Sequence, residues 1–220
     1  MAKVRALVFD LDGTLIDSVL DIAEAANHAL QGAGYPQRSV DEIRSFVGDG
    51  ARSLVARAAE LPLEDARLDA LLETFLAYYT AHPTRFTELL PGAREALARF
   101  PELRIALCTN KPRVTTQAVL AGLGLEQSFS AIVAGGDLPQ KKPDPAPLLH
   151  IAELLGLSPG ELVMVGDGPQ DVESARAAGA RSIGVENGIA DLARLRSAEP
   201  DAMIATLHDL PALIARWQDG

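Results

Sequence analysis

Short apolar runs alternate with helical patterns along most of the chain. Between the runs, apolar residues recur at the spacing of a helix, and several such segments open on proline and end on glycine, as 145–156 does. The runs that we interpret as β-strands span 4–9, 103–108, 131–135, 162–166, 181–185 and 202–205. Strands that alternate with helices predict a mostly parallel sheet that is covered by helices on both faces.

The segment from 18 to 85 breaks this rhythm, because it shows helical patterns and no convincing strand. Ser39 and Glu42 have the spacing of a capping box at the start of one of its helices. We therefore predict an α/β protein with a Rossmann-like core formed by 1–17 and 86–220. The segment 18–85 is predicted to be an inserted, all-helical cap domain that lies over the carboxyl edge of the sheet.

Composition and charge narrow the possible partners and the compartment. The chain of 220 residues carries a net charge of −10, so bulk electrostatics disfavour binding to nucleic acids or to anionic membranes. The single cysteine, Cys108, excludes an internal disulfide and is typical of a reducing compartment. We find no signal-peptide pattern and no apolar stretch long enough to span a bilayer. The expectation is a cytoplasmic protein.

Polar and charged residues follow four of the predicted strands. Open parallel sheets bind their ligands outside the carboxyl ends of the strands, so these residues are the candidates for a functional site. They are Asp10, Asp12, Gly13 and Thr14 after the first strand, Thr109 and Asn110 after the second, Lys142 after the third, and Asp167 and Asp171 after the fourth. Carboxylates, a hydroxyl, an amide and an ammonium group are thereby predicted to meet at one edge of the sheet.

The clustered carboxylates predict a cation. Asp10 and Asp12 lie two residues apart at the end of a buried strand, where their like charges repel and desolvation is costly. Hard oxygen ligands select Mg²⁺ or a similar ion, and Mg²⁺ combines a few carboxylates with waters and a substrate phosphate. The sequence therefore predicts Mg²⁺ as the cofactor and a small phosphorylated metabolite as the substrate.

Lysine is used sparingly, in a pattern that also suits a phosphate. The chain has 16 arginines and 4 lysines, and Lys111, Lys141 and Lys142 fall in the stretches TNKP and KKPDP. A lysine ammonium is a compact point charge that can meet a single phosphate oxygen, whereas the arginine guanidinium is a planar fork. The alternative is chance clustering on solvated loops.

Four short motifs, in this order, resemble those of the haloacid dehalogenase-like superfamily. They are DLDGT at 10–14, TN at 109–110, KP at 142–143 and GDGPQD at 166–171. The helical segment between the first and second motifs resembles the cap of that family. The resemblance implies a phosphatase rather than a dehalogenase, because the dehalogenases of this family lack the second aspartate of the first motif.

The resemblance also implies a role for each motif residue. Asp10 would be the nucleophile and form an aspartyl-phosphate, while Asp12 would protonate the leaving alcohol and then activate water. Thr109 and the following amide would hold phosphoryl oxygens, and Lys142 would neutralise the nucleophile and the phosphate. Further residues expected to contribute to substrate binding are Gly13, Thr14 and Asn110.

A set of metal ligands is implied in the same way. Asp10, the backbone carbonyl of Asp12 and Asp167 would ligate Mg²⁺, and Asp171 would orient its waters. The fourth motif departs from the family at Gly168, where relatives often carry serine or threonine. A hydroxyl group beside the metal is therefore missing.

The stretch FVGDGARSL, 46–54, has two interpretations. Its glycines can simply supply the backbone conformations of a connection between helices. Alternatively, Gly48 and Gly50 bring the backbone close to a substrate and Arg52 meets an anionic group; Arg113 is a comparable candidate. The stretch resembles the Gly-x-Gly-Ala element in the cap of bacterial phosphoglycolate phosphatases, which implies 2-phosphoglycolate as the substrate.

Other functions are compatible with the same motifs. A phosphatase for a sugar phosphate, such as N-acetylmuramic acid 6-phosphate, or a phosphomutase would use the same core residues. From another class, a binding module could keep an inactive site, although every catalytic position is filled in this chain. Apolar surface on the cap could serve a dimer, so both a monomer and a homodimer stay open.

Overall fold

The computed structural model describes residues 3–219, and within that range it contains a six-stranded parallel sheet. Its strands are β1 (Ala6–Phe9), β4 (Arg104–Pro112), β5 (Ala131–Gly135), β6 (Leu162–Gly166), β7 (Arg181–Val185) and β8 (Ala202–Ile204). They lie in the order β5-β4-β1-β6-β7-β8. A short antiparallel pair is formed by β2 (Ile16–Asp17) and β3 (Glu88–Leu89). All six predicted strands are confirmed.

Helices cover both faces of this sheet, as predicted. The α-helices of the described chain are α1 (Val19–Gly32), α2 (Val40–Phe46), α3 (Ala51–Ala59), α4 (Arg67–Ala81), α5 (Ala93–Ala98), α6 (Arg113–Leu123), α7 (Ala146–Leu155), α8 (Pro169–Ala178), α9 (Leu192–Ser197) and α10 (Leu210–Asp219). Leu7 and Phe9 of β1 belong to one hydrophobic cluster, whereas Ala6 and Val8 belong to another, and each cluster includes helix residues. No helix in residues 3–219 is both long and apolar enough to cross a membrane.

Strand β1 lies at the centre of the sheet and positions the residues that follow it. It pairs with β4 on one side and with β6 on the other, and Phe9 lies opposite Leu107 and Val165. All four residues of β1 are buried. Asp10 therefore stands between the carboxyl ends of two neighbouring strands, where the polar groups of those strands also come together.

Strand β4 differs from the prediction at its carboxyl end. The apolar run ends at Cys108, yet the strand continues to Pro112. Cys108 pairs with Val133 and Pro112 pairs with Gly135, so four steps along β4 match two steps along β5. This irregularity re-aims the side chains of residues 109–111. The polar residues that were expected after the strand are part of its bulged end.

The helices α1 to α4 lie between β2 and β3, and the described chain has no strand among them. α1 packs against α4, whose buried face includes Phe75 and Tyr79. The predicted capping box of α2 is confirmed, because Ser39 Oγ accepts from the Glu42 N–H and the Glu42 carboxylate accepts from the Ser39 N–H. That these four helices form a separate domain stays a prediction.

Asp21 ties the start of α1 to the segment that leads into β3. Its side chain is buried although it is a carboxylate. It accepts hydrogen bonds from the backbone N–H groups of Phe86 and Thr87, at 3.0 and 2.8 Å, and from Thr87 Oγ1 at 2.6 Å. The chain connections that enter and leave the four helices are thereby held together.

Replacing Asp21 with alanine should destabilise the fold, because the backbone N–H groups of Phe86 and Thr87 lose their hydrogen-bond acceptor. Hydrogen bonds to charged groups each contribute about 1.5–3 kcal/mol, so the free energy of unfolding should fall by about 2–4 kcal/mol. Chemical denaturation measures the change, with Glu64→Ala, at an exposed glutamate, as the control. Equal stability of the two variants would contradict the structural role of Asp21.

Candidate active site

The aspartates that follow β1 lie in a tight turn at the centre of the sheet edge. Gly13 has a φ of +87°, which glycine adopts without strain, and it turns the chain back after the second aspartate. The two carboxylates have different partners. Asp10 Oδ1 lies 2.8 Å from Lys142 Nζ, whereas Asp12 Oδ1 lies 2.9 Å from Lys111 Nζ.

Three buried carboxylates meet beside this turn. Oxygen atoms of Asp10, Asp167 and Asp171 lie within 4.8 Å of one another. Lys142 Nζ contacts Asp10, lies 2.6 Å from Asp171 Oδ1 and donates to the carbonyl oxygen of Cys108. In the part of the chain that the structure describes, Lys142 is the cation paired with this cluster. Three carboxyl groups therefore face one ammonium group.

Asp167 is held by hydrogen bonds rather than by a cation. Its Oδ2 accepts from the backbone N–H groups of Ile189, at 2.7 Å, and Ala190, at 2.9 Å, and Thr14 Oγ1 donates to Oδ1 at 3.3 Å. A methyl group at Gly188 would collide with the Asp167 side chain. The loop after β7 thus fixes this carboxylate. Sequence analysis missed the loop, because it contributes backbone groups rather than a charged side chain.

Burial and crowding alter the protonation of this cluster. Burial, followed by the like charges of Asp10 and Asp171, raises the pKa of Asp167 to about 7. Burial also raises the pKa of Asp171 to about 6, against the lowering effect of Lys142. Burial opposes the charge of Lys142, but Asp10 and Asp171 outweigh it and raise the pKa of that ammonium group. The set of crowded oxygen donors fits a divalent cation, which would remove the repulsion.

Gln170 fills the space beside Gly168, the position at which the fourth motif departs from the family pattern. A methyl group at Gly168 would collide with the Gln170 amide, and one at Gly48 would lie 3.0 Å from Gln170 Nε2. The Gly168 N–H donates to Asp171 Oδ2 at 3.1 Å, so Asp171, expected to orient metal-bound water, is held by this N–H and by Lys142. Gln170 reaches from the fourth motif towards the loop between α2 and α3.

A cavity of about 40 Å³ lies between the sheet edge and the helices α1 to α4. The sheet side contributes Asp10, Asp12, Thr109, Asn110, Lys111 and Pro112, and the helical side contributes Ile22, Val47, Gly48, Gly50, Ala51, Leu54, Phe75 and Tyr79. The structure thus brings Gly48 and Gly50 to the same cavity as the motif residues. Gly13 and Thr14 instead lie against Asp167, where Thr14 donates a hydrogen bond to it.

The side-chain amide of Asn110 connects the two sides of this cavity. Nδ2 donates to the carbonyl oxygens of Gly48 and Lys142, both at 2.9 Å, and Oδ1 accepts from the Lys142 N–H at 3.0 Å. Asn110 was expected to bind substrate. In the structure, the side-chain amide of Asn110 forms hydrogen bonds with backbone groups of Gly48 and Lys142. Asn110 therefore positions Lys142 and the Gly48 loop.

The structure does not bring the two candidate arginines into the cavity. Arg52 Nη1 lies 2.7 Å from Asp69 Oδ1 on α4, and the Arg113 guanidinium pairs with Asp137. Ala51 lines the cavity, whereas the next residue along α3 projects in a different direction, towards α4. The anion-binding role expected for Arg52 is therefore not supported by its position.

Sequence analysis also missed the pairing of Lys111 with Tyr79. Lys111 Nζ lies 2.9 Å from Asp12 Oδ1 and 2.6 Å from Tyr79 Oη, and Ser18 Oγ donates to the same carboxylate. Burial opposes the Lys111 charge, but Asp12 outweighs it and raises the pKa of Lys111. Burial raises the pKa of Tyr79 to about 12. Nothing in the sequence distinguishes Tyr79 from the core residues on the same face of α4.

Comparison with known proteins agrees with this geometry. Residues 4–179 match the family model described as haloacid dehalogenase-like hydrolase. The chain is 41% identical to the phosphoglycolate phosphatase of Chromobacterium violaceum, over 96% of this chain and 97% of that protein. It is 38% identical to the phosphoglycolate phosphatase of Neisseria meningitidis, over 94% of this chain and 92% of that protein.

A solved structure shares the fold across almost the whole chain. The crystal structure of a predicted phosphoglycolate phosphatase from Haemophilus somnus superposes with a TM-score of 0.88 at 30% sequence identity. The superposition covers 97% of this chain and 99% of that chain, so it includes the sheet and the helices that line the cavity. The chain belongs to the haloacid dehalogenase-like hydrolase family.

Proposed function

We propose that this protein is a Mg²⁺-dependent phosphoglycolate phosphatase, which hydrolyses 2-phosphoglycolate to glycolate and inorganic phosphate. The observation that carries the proposal is the group of Asp10, Asp167 and Asp171 at one edge of the sheet, with Lys142 in contact with two of them. The names of the relatives support the substrate, because those at 38% and 41% identity are phosphoglycolate phosphatases. The cavity beside Asp10 is confined between the sheet edge and the helices α1 to α4, which favours a small ester over a large one.

The helical segment 18–85 would act as a cap on a core formed by 1–17 and 86–220. Support comes from the cavity, because Gly48, Phe75 and other residues of α1 to α4 and their connections line it from the side opposite the motif residues. A cap excludes bulk water from the reacting groups and limits the size of the substrate.

The residues present fit Mg²⁺. The carboxylates of Asp10 and Asp167 and the backbone carbonyl of Asp12 would hold the ion, with Asp171 acting through bound water. When bound, a divalent cation supplies positive charge that offsets the charges of the nucleophile and the phosphate. Lys142 adds a second positive charge beside Asp10.

In the first step, Asp10 attacks the phosphorus atom. A bond forms between a carboxylate oxygen of Asp10 and phosphorus while the bond from phosphorus to the ester oxygen breaks. Asp12 has to take up a proton before this step; it then gives that proton to the departing oxygen, and glycolate leaves. Ser18 and Lys111 hold the Asp12 carboxyl group for this transfer, and Thr109 lies at the cavity surface, where it can bind phosphoryl oxygens.

In the second step, a water molecule attacks the phosphorus atom of the aspartyl-phosphate. Asp12, now deprotonated, takes a proton from this water while the bond between phosphorus and the Asp10 oxygen breaks. Inorganic phosphate leaves, and both aspartates return to their starting states. Lys142 lies beside Asp10 and stabilises the regenerated carboxylate. Such positioning and charge neutralisation supply most of the catalysis in phosphoryl transfer.

The proposed substrate predicts a clear preference in a phosphate-release screen with Mg²⁺. The kcat/KM for 2-phosphoglycolate should exceed that for each sugar phosphate, including N-acetylmuramic acid 6-phosphate, by at least roughly tenfold, because the cavity is small. Phosphate release without added sugar bisphosphate separates a phosphatase from a phosphomutase. A higher kcat/KM for a sugar phosphate would contradict the proposed substrate, and no hydrolysis of any ester would favour a binding module.

The proposed nucleophile predicts that Asp10→Asn abolishes turnover. An amide does not form the bond to phosphorus, so kcat should fall by at least roughly 1,000-fold. Thermal unfolding should show that the variant is folded. Asp144→Asn makes the same chemical change at an exposed aspartate outside the cavity and should keep wild-type turnover. A near-wild-type kcat for Asp10→Asn would exclude Asp10 as the nucleophile.

The crowded carboxylates predict that pH changes the response to Mg²⁺. The pKa of Asp167 is about 7 in the folded protein against an ordinary value of 3.8, so the folded state binds more protons between these values. Through this group, the free energy of unfolding of the metal-free protein should fall as pH rises from about 4 to about 7. Because Mg²⁺ binds the ionised carboxylates, it should raise Tm more at about pH 8 than at about pH 5.

Scanning fluorimetry with and without Mg²⁺ measures this difference. Asp167→Asn should lose the rise in Tm at the higher pH, whereas the exposed Asp144→Asn should keep it. An equal rise at both pH values, or a full rise in Asp167→Asn, would show that the cation does not bind at this cluster.

A further inference from the structure

Lys111 is the one cation among the described residues that line the cavity. It is 6% exposed, and its ammonium group contacts Asp12 and Tyr79. The ammonium group donates to Tyr79 Oη at 2.6 Å and to both oxygens of Asp12, Oδ1 at 2.9 Å and Oδ2 at 3.2 Å, so an anion that binds Lys111 would replace the longer contact to Oδ2. Lys111 is therefore placed to bind an anion that enters beside Asp12.

The neighbouring cations have other partners. Arg52 and Arg113 form ion pairs with aspartates outside the cavity. Lys141 is exposed and donates to the backbone carbonyl oxygen of Asp49. Lys142 contacts the carboxylates assigned to the nucleophile and the metal. An anionic group of a substrate that lies outside the phosphate site would therefore meet Lys111.

Tyr79 offers a second hydrogen-bond donor next to Lys111. Its Oη accepts from Lys111 at 2.6 Å, so its own proton remains to be donated. Lys111 Nζ also lies 4.3 Å from the centre of the Tyr79 ring, which further stabilises the ammonium group at this place. Most of the remaining lining from the helical side is apolar: Ile22, Val47, Ala51, Leu54 and Phe75.

The start of α3 adds positive potential to the same cavity. Gly50 is the N-cap residue of this nine-residue helix, and no side chain caps the first N–H groups. Gly50 and Ala51 both line the cavity. Because the N-terminus of a helix carries partial positive charge, this end of the cavity favours a second anion in addition to the phosphate.

The contact between Lys111 and Asp12 locates that anion along the substrate. Under the proposed function, Asp12 protonates the ester oxygen that leaves. Lys111 Nζ is 2.9 Å from Asp12 Oδ1, so a group bound by Lys111 lies close to the leaving oxygen. In 2-phosphoglycolate, the carboxylate is attached to the carbon atom that bears this oxygen. Lys111 and Asp12 are therefore neighbours in the site, as the carboxylate and the leaving oxygen are neighbours in the substrate.

We propose that Lys111 and Tyr79 bind the carboxylate of the substrate and make the enzyme selective for phosphate esters of short 2-hydroxy acids. The inference rests on the proposed function, because the role of Asp12 defines where the leaving oxygen lies. Selectivity then arises from a lysine at the end of β4 and a tyrosine on α4, rather than from Arg52.

The test compares three phosphate esters: 2-phosphoglycolate, 2-hydroxyethyl phosphate and 2-aminoethyl phosphate. They differ in the group attached to the carbon atom that bears the ester oxygen. Wild-type kcat/KM should favour the carboxylate over the neutral ester by roughly 10- to 100-fold, the usual effect of a hydrogen bond to a charged group. In Lys111→Met this ratio should fall to about threefold or less, and the cationic ester should gain relative to the neutral one. Each ratio is measured on one preparation, so it does not depend on the active fraction.

Ser18→Ala is the matched control, because Ser18 also bonds Asp12 but does not line the cavity. It should lower kcat for all three esters in parallel and leave their ratios unchanged. A parallel loss in Lys111→Met would show that Lys111 only positions Asp12, which overturns the inference and leaves the phosphatase function standing. If the wild-type kcat/KM for the neutral ester equals that for 2-phosphoglycolate, the proposed substrate is contradicted too.

If Lys111→Met shows no turnover, the same ratios of kcat/KM are measured in two further variants. Lys111→Gln can hydrogen-bond to both neighbours but has no charge, so it should lose the preference for the carboxylate. Tyr79→Phe keeps the charge and loses one donor, so the preference should fall by a smaller factor. An undiminished preference in Lys111→Gln would overturn the inference.

Discussion

Repulsion among Asp10, Asp167 and Asp171, which are buried together at one edge of a parallel sheet, is the constraint on which the site depends. The fold compensates it only in part, because Lys142 contacts two of the carboxylates and backbone N–H groups hold the third. Burial, together with the repulsion that remains, raises the pKa of Asp167. A cation at this cluster would relieve the repulsion among the carboxylates and would also attract a phosphate ester. The same electrostatic interaction would therefore stabilise the fold and promote the reaction.

Sheet topology explains why residues that are distant along the chain meet at this point. β1 lies between β4 and β6, and all three strands are parallel, so their carboxyl ends share one edge. Asp10 follows β1, Thr109 lies at the bulged end of β4, and Asp167 follows β6. The helices between β2 and β3 then cover this edge, and Asn110 bonds the Gly48 loop to it. Because these helices lie between β2 and β3, they cover the edge without interrupting the six-stranded sheet.

The strands, the sheet edge and its motif residues could be predicted because they follow from local patterns and from the general behaviour of parallel sheets. The partners of individual side chains depend on packing between segments that are distant in the sequence. The sequence therefore did not predict these partners. Arg52 lies next to the glycine loop in the sequence, yet α3 directs it to Asp69. Lys111 and Tyr79 are 32 positions apart, and only the packing of α4 against the end of β4 brings them together. The partners of Asp167 after β7 are backbone groups, which leave no residue-type signal.

The most direct test is a crystal structure of the protein with Mg²⁺ and beryllofluoride, a mimic of the phosphoryl group. The electrostatic account predicts one Mg²⁺ at about 2.0–2.1 Å from the carboxylates of Asp10 and Asp167 and from the backbone carbonyl of Asp12, with beryllium bonded to Asp10. A structure in which Mg²⁺ binds elsewhere, or in which the mimic binds while the three carboxylates hold no cation, would contradict it.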